Sequence, residues 1–118
     1  MADQLYRILQ EQNVSVVEFQ LRPEVDVLLL DRVLEGVAAE LATHPGGGVW
    51  VMDLTQVSYL NSAGLGMLVN IRFKVRQAGG KLALCGLSVK LMELFKSCCL
   101  ERLFNIVKTR DEAMKQLS

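Results

Sequence analysis

Ser62 is the residue whose type and setting most invite chemistry. It stands in the stretch Asp53-Leu54-Thr55-Gln56-Val57-Ser58-Tyr59-Leu60-Asn61-Ser62-Ala63-Gly64-Leu65-Gly66, where an apolar run ends on an acid and a helical pattern begins. A serine hydroxyl can serve as a nucleophile when a base lies within hydrogen-bond reach, or it can accept a phosphoryl group. The first use needs a base, and the chain's single histidine, His44, precedes the strand that Ser62 follows. Five residues of β-structure put roughly 15 Å between them, so a triad of Ser62, His44 and Asp53 is rejected. The second use suits a helix start, where unpaired N–H groups and the positive end of the dipole tolerate added negative charge. Gly64 and Gly66 leave room there for a partner's backbone. Two plainer readings stand beside these: Asn61 and Ser62 are both ordinary N-cap residues, and a Gly-x-Gly with no phosphate-loop lysine is common.

The cysteines offer less. Cys98 and Cys99 are adjacent and Cys85 is predicted mid-strand, so the three show neither metal-ligand spacing nor the Cys-x-x-Cys of a redox centre. They agree with a reducing, cytoplasmic setting and with a packing role. The amino terminus, Met1-Ala2-Asp3-Gln4-Leu5-Tyr6, lacks a signal pattern, and no apolar run approaches a bilayer span. No membrane insertion is expected.

The elements that position Ser62 alternate along the chain. Tyr6–Leu9 reads as an edge strand, with a polar turn at Glu11–Asn13. Val14–Phe19 is a β-branched strand that Arg22-Pro23 breaks. From Leu28 to Thr43 the period turns helical, with Leu30, Val33, Leu34, Val37 and Leu41 on one stripe. His44-Pro45-Gly46-Gly47-Gly48 then reads as a helix stop. Val49–Leu54 is a continuous apolar run of the kind found in interior parallel strands. A helix over Ala63–Gln77 follows, ended by Gly79-Gly80, and then a strand over Lys81–Leu87. Ser88 caps a helix from Val89 to about Cys99. Leu103–Val107 is a last short strand, and Thr109 with Glu112 forms a capping box for a helix ending at Leu117. Strand and helix in alternation predict an α/β fold, a mixed, mostly parallel sheet of about five strands with about four helices, in a single domain spanning 1–118. Such sheets carry functional groups beyond the carboxyl ends of their strands, where the Asp53–Ser62 loop lies.

The helix over 63–77 has too much apolar surface for one buried face. Leu68, Ile71, Val75 and Ala78 form one stripe, bordered by Leu65 and Met67, while Val69 and Phe73 fall on another face beside Arg72 and Arg76. Either a neighbouring helix covers Phe73, or an apolar spot near arginines is left for a protein partner. The bulk composition is neutral on this point but excludes other classes. Of 118 residues, 51% are apolar, and 13 basic side chains balance 13 acidic ones. That balance argues against nucleic acid as the main ligand.

The stretch from Asp53 to Gly66 resembles the hallmark of the STAS family, which runs Asp-Leu-x-x-Val-x-Phe-x-Asp-Ser-Ser/Thr-Gly-Leu-Gly. The resemblance continues through Gln77-Ala78-Gly79-Gly80-Lys81-Leu82, Cys85-Gly86-Leu87-Ser88, Leu91, Phe95, Leu100, Leu103-Phe104 and Asp111-Glu112-Ala113, and is best over 14–113. It implies a SpoIIAA-like fold and an anti-sigma factor antagonist, a non-enzymatic binding module without a cofactor. The implied partner is an anti-sigma factor that is also a serine kinase and binds only the unphosphorylated antagonist; ATP and magnesium would belong to that partner. The phosphorylated serine of the family falls on Ser62, and the acid that follows the family's second strand falls on Asp26. The surface implied for the partner thus comprises Asp26, Asn61, Ser62, Ala63, Gly64, Leu65, Gly66, Val69 and Phe73. Asn61 replaces the hallmark Asp and Ala63 its second hydroxyl. Loss of the acid removes a fixed negative charge beside Ser62, which eases phosphorylation. The same departures leave open a constitutive STAS adaptor subunit of a stress-signalling or lipid-transport complex. A nucleotide-binding STAS domain is the other alternative, although no Walker lysine supports it. The oligomeric state is left open.

Overall fold

The computed structural model describes residues 5–22 and 24–117. The strand-breaking Pro23 and the residues at 1–4 and 118 lie outside the described residues. Within them the chain forms β1 (Tyr6–Glu11), β2 (Val14–Phe19), α1 (Val27–Leu41), β3 (Val49–Asp53), α2 (Ser62–Gln77), β4 (Lys81–Cys85), α3 (Val89–Ser97), β5 (Ile106–Val107) and α4 (Arg110–Leu117), with a 3-10 turn over Leu100–Arg102. The strands lie side by side in chain order. β1 runs antiparallel to β2, while β2, β3, β4 and β5 are parallel. This is the mixed, mostly parallel α/β sheet that the alternating pattern predicts. No helix among the described residues is long and apolar enough to cross a membrane.

Strand pleat divides the side chains between two faces. Val17, Phe19, Trp50, Met52 and Leu84 join the buried stripes of α1, α2 and α3 in the larger core. Leu30, Val33, Val37 and Leu41 supply the α1 stripe, and Leu68, Ile71 and Val75 that of α2. Burying each such side chain is worth about 1.5–3 kcal/mol, so this face carries most of the fold's stability. The opposite face is smaller: Val14, Val16, Val51, Ala83 and Cys85 are covered by α4 through Ala113.

Three local readings change. The His44–Gly48 segment is more than a helix stop. Gly46, Gly47 and Gly48 all take positive φ, and a Cβ on Gly47 would stand 2.3 Å from the backbone nitrogen of Gly80. Two glycine turns therefore pack backbone to backbone at the amino end of β3 and β4. β4 ends at Cys85 rather than Leu87, because Gly86 turns the chain at φ +77. The last strand is only Ile106–Val107, because Phe104 swings into the core against Phe95, with ring centroids 5.8 Å apart. The other boundaries fall within two residues of those predicted, as fraying helix ends allow.

Candidate functional site

The loop from Asp53 to α2 is held from beneath. Leu54, Val57 and Leu60 are buried, while Thr55, Gln56 and Ser58 between them are exposed. This spacing anchors the loop at three points and delivers Asn61 to the head of α2 in an extended conformation, φ −85 and ψ 178. Its side-chain oxygen accepts from the backbone N–H of Gly64 at 2.8 Å, which makes Asn61 the N-cap. Ser62 is consequently the first helical residue, exposed, and relieved of the capping duty that its type also suits.

The two hallmark glycines differ. Gly64 is buried, and a Cβ there would lie 3.0 Å from Cδ2 of Leu60. It serves the packing of the loop under the helix. Gly66 is exposed, and a Cβ would meet nothing within 4 Å. The room expected for a partner's backbone lies at Gly66 and not at Gly64. Ala63 and Leu65 are half-buried. Ala63 and Gly66 line a shallow cleft of about 200 Å³ with Val27 and Leu30 of α1.

Further along the helix, Val69 is half-buried and Phe73 remains 60% exposed. Phe73 is left uncovered: α2 buries its Leu68, Ile71 and Val75 stripe, and among the described residues no neighbouring helix covers Phe73. Arg72 is drawn away to the Leu103 carbonyl, to which its Nε donates. Asp26 is exposed and caps α1, its Oδ1 accepting from Leu28 N at 2.8 Å. Beside it stand Val27 and Leu28, 56% and 71% exposed, which sequence reasoning missed. The signal was present. Val27-Leu28-Leu29-Leu30 is a run of four apolar residues at a helix start, and one helical stripe cannot bury them all.

The polar groups with the strongest mutual interactions lie elsewhere. Register places Glu18 opposite Asp53 and Asp53 opposite Cys85, all on the α4 side of the sheet. Arg110, the first residue of α4, reaches over them. It donates to Asp53 at 2.8 Å, to Glu18, and to Glu11 at 3.3 Å. Arg7 adds a second bond to Glu18 at 2.6 Å. Burial pushes the Asp53 carboxyl up, but hydrogen bonds from Thr55 and then Arg110 outweigh it and leave the group below the ordinary range. The bond from Arg110, followed by that from Arg7, holds Glu18 low as well. Burial acts to lower the Arg110 guanidinium, yet Glu18 and Asp53 raise it further. Cys85 is pushed up to about 12 by burial and then by the neighbouring Asp53 carboxylate, so it is a thiol at neutral pH. These groups are paired and fixed. They dock α4 and present no carboxylate poised for proton transfer. His44 is likewise engaged, its Nε2 lying 3.3 Å from the buried Ser15 hydroxyl and 3.2 Å from Glu40. The structure does not bring it to Ser62.

A five-stranded mixed sheet in this order, three helices on one face and one on the other, with a capped helix start beyond β3, defines a small α/β module of the SpoIIAA type. SpoIIAA in its unphosphorylated form superposes with a TM-score of 0.73 at 13% identity, covering 94% of this chain and 94% of that one. An anti-sigma-factor antagonist (STAS) domain protein from Planctomyces limnophilus gives 0.80 at 19% identity, covering 95% and 97%. The STAS domain family model matches residues 3–113. An anti-sigma-B factor antagonist from Listeria monocytogenes is 32% identical over 104 residues, 88% of this chain and 90% of the relative. The chain belongs to the STAS domain family.

Proposed function

We propose that the protein is an anti-sigma factor antagonist. It is a phosphorylation-gated binding module that sequesters an anti-sigma factor with serine kinase activity, and so regulates transcription by partner switching in the cytoplasm. One observation carries the reading: Asn61 takes the cap, which leaves Ser62 exposed at the first position of α2. The name of the Listeria relative supports it, as does SpoIIAA, which is known in both an unphosphorylated and a phosphorylated form. The contact surface we infer runs from Asp26 and the start of α1 across Asn61–Gly66 to Val69 and Phe73.

Phosphate on Ser62 adds about −1.5 to −2 charges where the helix dipole accommodates them, so the domain's own fold changes little. A partner packed against Gly66 meets instead a strongly hydrated dianion. Burying that charge without a matching cation costs several kcal/mol, enough to weaken binding about a hundredfold or more. Capture of partners from the native cell by wild type, Ser62→Ala and Ser62→Asp tests this. Wild type and Ser62→Ala retain a kinase-type anti-sigma factor, and Ser62→Asp releases it. Asn61 and Ala63, which replace the hallmark Asp and hydroxyl, favour a second reading as a constitutive adaptor. Equal capture by all three proteins would select that reading.

A further inference from the structure

The opposite end of α2 carries a different surface. A cavity of about 410 Å³ opens where the last turns of α2, the start of β4 and the segment before β5 meet. Arg72, Arg76 and Lys81 line it together with Leu103, Phe104 and Asn105, and no aspartate or glutamate does. In a chain with as many acids as bases this is a segregation of charge. Arg7 and Arg110 elsewhere are paired with carboxylates. Among the described residues none of Arg72, Arg76 and Lys81 forms an ion pair.

Cations are common near a helix carboxyl terminus, where they complement the dipole. That accounts for Arg76, in the last turn of α2. It does not account for Lys81, which begins a strand, or for Arg72, a turn earlier. The bond from Arg72 Nε to the Leu103 carbonyl fixes its guanidinium at the cavity wall and leaves the terminal NH2 groups for another acceptor. The lining also has an apolar part, with Leu103 39% exposed and Phe104 buried. The volume falls within the range of about 300–1,000 Å³ usual for small-molecule sites. Planar, doubly donating arginines match phosphate geometry, and an adjacent apolar wall selects a body attached to that phosphate.

We propose that this cavity binds a small organic monophosphate, its phosphoryl group held by Arg72, Arg76 and Lys81 and its apolar body against Leu103 and Phe104. The site is distinct from Ser62, from which Arg72 and Arg76 are separated by about 15 and 21 Å of helix.

The test is a titration of the full chain, followed by amide NMR, with phenyl phosphate, inorganic phosphate and phenol as probes. Phenyl phosphate shifts Lys81 and the 103–105 amides saturably. Inorganic phosphate shifts them more weakly, and phenol binds at least tenfold less tightly than phenyl phosphate. The double substitution Arg76→Gln, Lys81→Gln, both at exposed positions, weakens phenyl phosphate at least tenfold while the spectrum stays folded; Lys81→Gln alone gives a smaller loss. Absence of saturable shifts at millimolar probe, unchanged affinity in the double variant, or shifts confined to Asn61–Gly66 would each overturn the proposal. Competition by a polyglutamate peptide as effective as phenyl phosphate would overturn it too, in favour of an acidic protein.

Discussion

Two regions meet near the end of β3, and they divide the labour in an unexpected way. Asp53, Glu18 and Arg110 form the densest ionic cluster among the described residues, yet each group is spent on another and the cluster serves to dock α4. Ser62, nine residues beyond Asp53, is followed along its helix by only an alanine, two glycines and apolar residues as far as Val69, yet it is the group left accessible. Dense ionic pairing marks a structural joint here, and the plain, open helix start marks the candidate switch. The two regions should therefore respond to substitution in opposite ways, one through stability and the other through binding.

The largest effect expected is on binding. If the proposed function holds, Ser62→Asp lowers affinity for an anti-sigma factor kinase about a hundredfold or more and leaves the thermal midpoint near wild type. Arg110→Ala does the reverse. It strands Asp53, whose side chain is 11% exposed, without its cation, beside a Glu18 that keeps only Arg7. Denaturant unfolding should show a loss of about 2–3 kcal/mol, less than for a fully buried pair because a quarter of the Arg110 side chain stays in water. Partner affinity should hold under conditions where the variant is folded.

Acid sharpens the contrast further. Asp53 and Glu18 have carboxyls held below their ordinary values of 3.8 and 4.5 in the folded state. A depressed folded value means that the unfolded chain binds protons first on acidification. The stability these groups contribute is complete above about pH 5 and is lost as pH falls through their folded values. Melting curves of wild type should therefore drop steeply below pH 4.5, and those of Arg110→Ala should show a shallower slope.

The smallest effects separate the two hallmark glycines. Gly66→Ala, in open space within a helix, raises stability by up to about 1 kcal/mol. Gly64→Ala gains the same propensity but must displace Leu60, so its stability falls below that of Gly66→Ala. Native-state alkylation gives a further check. Cys98 and Cys99 are exposed and react, whereas the buried Cys85, raised to about 12, stays unmodified until the protein unfolds.

The sequence revealed the frame more fully than the joints. The α1 stripe, the Ser88 cap and the apolar β3 run are local patterns, and each appears where its period or cap type put it. The head of α2 was ambiguous because Asn61 and Ser62 are both good caps; the Leu54, Val57 and Leu60 anchors decide between them by turning Asn61 toward Gly64 N. The docking of Arg110 on Asp53 could not be read at all. The residues are 57 positions apart, and their contact depends on α4 crossing the lesser face of the sheet. The packing of Gly47 on Gly80 was hidden for the same reason, since each glycine turn alone looks like a helix stop.

The central claim rests on Ser62, and titration calorimetry tests it most directly. The kinase-type anti-sigma factor captured by the wild-type chain is titrated with that chain unphosphorylated and phosphorylated on Ser62, with a melting curve recorded for each. The account predicts at least about a hundredfold weaker binding for the phosphorylated form at an unchanged melting temperature. Equal affinity for the two forms would contradict it.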